Sequence, residues 1–572
     1  MNYYNNFEKD KIILSECEYG ILEKAENIFY VKNKEVINNR GIINDIVFIK
    51  ENNVINIKER NNSIISGILY LNSNMKYGLR NKKPIYLFKP NNKNLPNFYV
   101  PSSSLKKSMV YCIIEFKSWE INEKQPFGNI IEIFGEIGIQ ENEYKNLLYY
   151  YNIFNKTAKF NKDKLLKHQE ILFILEKEKK FDYSIFCIDP KGSKDLDDGF
   201  HYLKKKDFIE IGIHIAYPYK FLNEKEDLEN IFKRVTTLYL ELNNKNNIHL
   251  IPNIYSENLC SFIENNIRFS LSIILKIKNN EIIDYKIEEK IVYIEKNYSY
   301  DEFDNIYQKN NNINNFVNFT KLFFEVPEID SHLLVEKWMI YANKIVAKYL
   351  ISSSLKNIIV RVHQNKKKFI CLENKNNNEK LINFLQYKQE SSALYEIFNK
   401  EENIFLNQSH SKMENDYYTH FTSPIRRGID YFNQSLLINN KDIYTNEELQ
   451  EKINHINNYE KNVKKFYRKK SRLDFLFKNK NTEEILTYGY ITELNENSIC
   501  VYIPDYNLDE KIKLYNNKIS KIIYIEIISD NKLQYIYENK TYIYNLYDKL
   551  DLKLFILLSE DNIFEKIKIQ IC

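Results

Sequence analysis

Residues 188–199 read IDPKGSKDLDDG, and four aspartates, Asp189, Asp195, Asp197 and Asp198, fall within ten positions. Carboxylates this close repel one another, and burial drives their pKa up. Water or a cation must compensate. Asp-Gly is a turn dipeptide, and a DxDDG cluster taken alone is more often a solvated turn than a metal site. The flanks argue otherwise. Ser184–Ile188 is a short apolar run that reads as a strand. Phe200–Leu203 follows, then a KKKD break, then Phe208–Tyr217, where Ile211, Ile213 and Ile215 alternate with Gly212, His214 and Ala216. That is the period-2 pattern of a strand. An acidic loop at the end of core strands is held rigid, which suits function.

Three metal readings compete. A calcium EF-hand loop needs a Glu at its twelfth position. Counting from Asp189 that position is Phe200, and from Asp195 it is Lys206. Zinc needs closely spaced Cys or His; here they are scattered and no CxxC occurs. All-oxygen ligands suit Mg²⁺ or Mn²⁺, and clustered carboxylates can hold two such ions for phosphodiester cleavage.

The chain has 572 residues, so several domains are expected, since single cores stop growing at roughly 250–300 residues. Tyr (45) and Phe (35) are abundant while Gly (12) and Pro (11) are scarce. This bias matches an AT-rich coding genome, so surface Lys and Asn carry less functional weight. A net charge of +5 permits nucleic-acid binding without requiring it. Seven dispersed cysteines point to a reducing compartment. MNYYNNFEKD lacks a basic-then-apolar signal, and no run of about 18 apolar residues occurs. A cytoplasmic protein without membrane contact is expected, with a nuclear location left open.

Residues 1 to about 150 read as short strands separated by turns such as KPNNKNLPN, which predicts one or two small β-barrels. From Glu141 to Lys180 the pattern is helical and reads as a connector. The Asn-rich stretches at 310–315 and 373–380 read as loops or insertions, and Glu336–Leu350 as an amphipathic helix. From Leu486 strands return, predicting another small barrel. A second constellation, YYTHFTSPIRRGID, spans Tyr417–Asp430. Arginine suits bidentate phosphate contacts and can stabilise transition-state charge. The bland reading is a helix start, with Ser423 as N-cap and Pro424 at the first helical position.

IDPKGSKDLDDG followed about 220 residues later by YTHFTSPIRRGID resembles the ribonuclease II/R (RNB) family of exoribonucleases, which includes the exosome's catalytic nuclease. Further segments fit: Glu210–Ala216, Thr236–Tyr239, Leu250–Pro252, Glu257–Ser261, Arg268–Ser272, Val335–Asn343 and Arg361–His363. The resemblance implies a multidomain α/β chain. Cold-shock-like OB barrels at 1–65 and 66–150 and a helical connector at 151–182 would precede a mixed α+β RNB catalytic domain at 183–482. An OB-fold RNA-binding barrel at 483–572 would follow. No room remains for the extra N-terminal nuclease domain of the eukaryotic exosome enzymes.

The implied reaction is processive 3′→5′ hydrolysis of single-stranded RNA to nucleoside 5′-monophosphates, by a monomer or within an RNA-decay complex. Asp189, Asp195, Asp197 and Asp198 would hold Mg²⁺ or Mn²⁺, with Asp197 and Arg426 the residues tied to chemistry. Tyr239, His420, Thr422, Arg426 and Arg427 would contact RNA, Tyr239 by stacking on the 3′-terminal base. Several positions depart from the family: Gly428 replaces a Tyr, Gln434-Ser435 a His-Arg, and Tyr217 an Asp. The later acid falls in a helix around Glu460–Arg472, with Asp474 as one candidate. His214 and Cys187 read as core residues. Two other functions compete: a catalytically impaired RNA-binding protein of the same fold, and a phosphatase using Asp195 and Asp197.

Overall fold

The computed structural model describes residues 17–572 apart from 26–27, 61–63, 73–76, 105–106, 121, 155–161, 241–246, 363–377, 390–392, 399–415, 496–497, 515–521, 530–531, 538–539 and 559–565. It divides into two compact units. One comprises Met1–Phe154, Leu372–Leu385 and Asn462–Cys572; the other comprises Asn155–Cys371 and Gln386–Lys461.

The first unit is built from barrels with one recurring strand order. Glu18–Ala25, Ile28–Val31, Lys34–Val36, Ile46–Lys50 and Asn53–Glu59 pair in the order third-second-first-fourth-fifth. A parallel bridge from Ile37 to Asn53 joins the two edges, around a core of Leu22, Val31, Val36, Val47, Ile49 and Val54. In the second barrel Ile65–Tyr70 pairs with both Lys83–Pro90 and Met109–Ser118. The ring closes through Phe98–Pro101, which lies parallel to Phe127–Glu136. The C-terminal strands Ile485–Asn495, Ser498–Ile503, Leu508–Lys513, Lys549–Ile556 and Ile567–Ile571 repeat the order, with a three-stranded meander inserted before the fourth. These are OB-type barrels.

The Asn-rich composition has a local use here. Two-residue hairpin turns of the favoured type need positive φ at both centres, and glycine is scarce. Lys32-Asn33, Glu51-Asn52, Asn81-Lys82 and Asn279-Asn280 all adopt positive φ. Asparagine tolerates this region better than other non-glycine residues.

The helix Gln140–Tyr150 follows the second barrel. Its buried Glu143 accepts from Gly138 N and the Tyr111 hydroxyl, each at 2.9 Å, and pairs with buried Lys566 Nζ at 3.2 Å. The last barrel is thereby tied to this helix. Asp474 accepts from the Tyr144 hydroxyl and from Lys470 Nζ.

The second unit centres on a closed barrel of five strands: Tyr183–Asp189, Asp198–Lys204, Ile209–Ala216, Ile267–Lys278 and Glu281–Ser299. Parallel pairing of the first with the last, from Tyr183–Val292 to Asp189–Ser299, closes it. Helices Asn311–Phe323 and Ser331–Ser352 cover one side. There Phe316 meets Phe186, Phe200 and Tyr202, and stacks on Trp338. Inside the barrel His201 Nδ1 and His214 Nε2 share a 2.8 Å hydrogen bond, and His214 Nδ1 meets Ser272 Oγ at 2.8 Å. Cys187 is fully buried, and burial pushes its thiol pKa well up, so it is no nucleophile.

Two local expectations are corrected. The stretch 310–315 is not a loop: Asn310 caps the helix Asn311–Phe323 by accepting from Asn312 N and Ile313 N. Ile313, Phe316, Val317 and Thr320 fall on one buried face, a helical spacing that the polar composition hides. The helix expected at Pro424 begins instead at Gly428, after a turn over 424–426. Of the other Asn-rich stretch, 373–377 lies outside the described residues, as does His363; Glu379 opens the helix Glu379–Gln389.

Candidate active site

The acidic loop crosses between the first two barrel strands, with Asp189 ending one and Asp198 opening the next. Its backbone is pinned throughout. Ala216 N donates to Asp197 O at 2.7 Å, Phe262 N to Leu196 O at 3.1 Å, and Leu196 N to Ser261 Oγ at 3.0 Å. Asp197 is 2 % exposed and Asp198 8 %. Burial, with the charges of Asp197 and Asp195, raises Asp189 to about 7; Arg426 opposes this. Burial, with repulsion from Asp189, raises Asp198 to about 8, against Arg426 and Arg427. Burial also pushes Asp197 well up.

The arginine segment meets this loop directly. Ile425 N donates to Asp197 Oδ1 at 2.9 Å, and Arg426 Nε lies 3.3 Å from Asp197 Oδ2. The Arg426 side chain is 49 % exposed above that buried acid. The Tyr239 hydroxyl donates to Asp195, and its half-buried ring stands beside the loop. The structure thus gathers all four aspartates with Arg426 and Tyr239.

Arg427 faces elsewhere. Its Nη2 donates to fully buried Asp430 at 2.8 Å, and Asp430 also accepts from Ser423 N at 2.8 Å. Thr422 is buried, its hydroxyl accepting from Arg427 Nη2 at 3.4 Å. His420 Nδ1 meets the Tyr395 hydroxyl at 2.6 Å. The Arg361 guanidinium sits 4.5 Å over the Tyr395 ring and pairs with Glu460 at 3.3 Å. Asp474, the candidate named for the later acid, is committed to Tyr144 and Lys470, while Glu460, not singled out by sequence reasoning, stands in this group.

Sequence reasoning passed over Asp430, although it closes the quoted motif three residues after Arg427. It also missed Tyr300. Burial raises the Tyr300 phenol to about 12, and the charges of Asp189 and Asp198 add to the shift. No local signal marks it among 45 tyrosines.

Among the described residues, no three His, Cys, Asp or Glu side chains converge in ligating geometry. The donor set nevertheless fits a hard divalent ion. Asp189 Oδ2, Asp197 Oδ2 and Asp198 Oδ2 are buried without a hydrogen-bond partner, and buried carboxylates are seldom left so. Oxygen-only donors select Mg²⁺ or Mn²⁺ over zinc.

The departures are locally accommodated. The Tyr217 hydroxyl donates to Glu289 at 3.1 Å, Gln434 Nε2 to Ala216 O at 2.7 Å, and Ser435 Oγ to Phe432 O at 2.6 Å.

The family model described as "RNB domain" matches residues 179–321 and 311–442, covering both the acidic loop and the arginine segment. Residues 179–442 thus carry an RNB domain. Ahead of its RNB domain, residues 85–152 match "Dis3-like cold-shock domain 2". A ribonuclease R of Chlamydia pneumoniae is 27 % identical over 48 % of this chain and 49 % of its own. The human exosome complex exonuclease RRP44 is 23 % identical over 87 % of this chain and 60 % of its own. The chain thus spans about half to three fifths of the length of these curated relatives. Among solved structures, Mycoplasma genitalium RNase R in complex with ribose-methylated single-stranded RNA superposes with a TM-score of 0.71. It is 16 % identical, and the match covers 97 % of this chain and all of that one. Yeast Ssd1, described as a pseudonuclease, gives 0.62 at 15 % identity, over 94 % of this chain and 83 % of its own.

Proposed function

We propose that this RNB protein is a metal-dependent exoribonuclease that hydrolyses single-stranded RNA from the 3′ end and releases nucleoside 5′-monophosphates. One observation carries the reading: an exposed arginine stands over a buried carboxylate, Arg426 above Asp197, within a four-aspartate loop pinned to a barrel rim. Asp189, Asp195, Asp197 and Asp198 would hold Mg²⁺ or Mn²⁺, which when bound supplies charge neutralisation and activation of the attacking water. Arg426 binds the scissile phosphate through the guanidinium N–H groups that Asp197 and Ser423 do not engage. Tyr239, oriented through its hydroxyl by Asp195, presents its ring to the terminal base; stacking tolerates every base. The relatives' names support exonucleolytic attack and the binding of single-stranded RNA. Work within an RNA-decay complex, as the RRP44 name describes for that protein, is compatible, as is action alone.

The deciding experiment is a 5′-labelled unstructured RNA incubated with protein and Mg²⁺. A ladder shortening to a tiny end product supports the nuclease. A retarded, intact band supports an RNA-binding protein without catalysis, the reading that the Ssd1 likeness keeps open.

Metal should also register without turnover. Buried carboxyls whose pKa is raised to about 7 and 8 stabilise the metal-free fold below the ordinary carboxylate range, and that stability is lost as pH rises through those values. Divalent ions bind the ionised form. Adding Mg²⁺ to chelator-treated protein should raise the melting temperature more at pH 8.5 than at pH 6, and cleavage should stop with a chelator. A shift independent of pH, or full cleavage in excess chelator, removes the metal from this loop.

RNA should be cleaved faster than DNA of the same sequence, because the 2′-hydroxyl is the general handle separating the two. Equal single-turnover rates on matched oligomers would contradict the assignment.

A further inference from the structure

Val235 sits at φ +62°, ψ −52°, directly after the helix Lys225–Arg234. Thr236 N donates to Arg234 O at 2.6 Å across it. This is the rare, strained form of γ-turn. A β-branched residue at positive φ is an outlier, and such strain persists only where the surroundings over-determine it.

They do so from both sides. Val235 N donates to Ile231 O at 2.8 Å, while Arg234 Nη1 donates to His249 O at 2.9 Å and Leu250 O at 3.1 Å. Facing it, the arginine segment is held by consecutive backbone contacts. Gly428 N donates to Val235 O at 2.8 Å, Thr237 N to Arg426 O at 3.0 Å, and Thr236 Oγ1 to Arg426 O at 2.9 Å. The carbonyl that the turn projects is therefore the one that receives Gly428. A β-carbon at Gly428 would stand 3.0 Å from that carbonyl oxygen and 3.1 Å from Ile231 Cγ2. At this position a side chain would thus press on the Val235 carbonyl and on Ile231.

We propose that Val235 and Gly428 are matched positioning residues: the strained turn, seated against a helix start without a side chain, sets where the Arg426 guanidinium stands over Asp197. Neither touches substrate. The inference rests on the reading that Arg426 acts at the scissile phosphate. Placement matters because displacement of a catalytic group by about 1 Å can cost on the order of 10²-fold.

The test compares Val235→Gly, Gly428→Ala, the two combined, and Arg426→Lys as reference. Single-turnover cleavage of a labelled RNA, RNA affinity and melting temperature are measured on each preparation. Glycine takes up positive φ without strain, so Val235→Gly should fold and bind RNA normally yet cleave roughly 10-fold more slowly, a shift of a few tenths of an ångström being a fraction of that displacement. Gly428→Ala should lose a similar factor. The combined variant should lose less than the product, because a glycine at 235 lets the carbonyl retreat; contacting residues couple in this way. Val346→Ala, fully buried in the helix Ser331–Ser352, is the stability control and should cleave at the wild-type rate despite a lower melting temperature. Wild-type cleavage by Val235→Gly alongside an impaired Arg426→Lys overturns the positioning role and leaves the site intact. Wild-type cleavage by Arg426→Lys removes the reading of the site, and this role with it. If Gly428→Ala does not fold, Val235→Gly decides alone.

Discussion

Asp197→Asn abolishes hydrolysis while RNA affinity stays within a few-fold of wild type. The loss in single-turnover cleavage should reach on the order of 10³-fold, the upper end for one electrostatic group. Asparagine is nearly isosteric and its Oδ1 can still accept from Ile425 N, which lies 2.9 Å from the aspartate oxygen. The loop should therefore keep its shape. What disappears is one negative charge beside the buried Asp189 and Asp198 oxygens that have no hydrogen-bond partner, and the ion pair with Arg426. In metal-free protein the melting temperature should hold or rise, because burial already pushes this carboxyl towards its neutral form. Affinity should survive because stacking surfaces and barrel clefts carry much of single-strand binding. The second barrel carries a cleft of about 930 Å³ between Arg80, Lys83, Lys117 and Asn129. Wild-type cleavage would show that the acidic loop is not the catalytic centre. Loss of affinity as well, with a normal melting temperature, would mean that bound metal holds the RNA in addition to promoting its cleavage.

Arg426→Lys should lower single-turnover cleavage by on the order of 10²-fold at nearly unchanged RNA affinity. Lysine keeps the charge but not the planar fork that contacts two phosphate oxygens. Arg427→Lys should behave differently. Arg427 is paired with fully buried Asp430, so its replacement loosens a structural contact and lowers the melting temperature more than the chemical rate. The two variants, assayed together by stopped cleavage and thermal unfolding, separate the roles. If Arg427→Lys is the variant defective in chemistry, the assignment of the pair is reversed.

Much of this was legible in the residues themselves. Four carboxylates between period-2 apolar runs imply a rigid loop needing a cation, whatever the fold around it. Some strand segments of the OB-type barrels, such as Ser66–Leu71 and Ser498–Ile503, follow from alternation and turn residues, because those signals are local. The helix Asn311–Phe323 was hidden because its polar face is asparagine, which in this composition also marks turns.

What lies beyond about ten residues of chain had no such signal. The sequence by itself determined the chemical inventory: which acids cluster, which arginines are paired, and which segments are strands. The family resemblance singled out Arg426, and only the tertiary structure supplies the physical reason. Arg426 and Arg427 are adjacent and chemically identical, and their side chains diverge because Asp430, three residues on, turns back to hold Arg427 and Ser423. The same holds for Val235. Nothing in a Lys-Arg-Val-Thr-Thr run announces positive φ. That backbone is imposed by a helix ending on one side and by the Arg426–Gly428 segment, about 190 residues away in sequence, pressing on the other. Local chemistry is written residue by residue; orientation over a reacting group arises only where distant segments constrain one another.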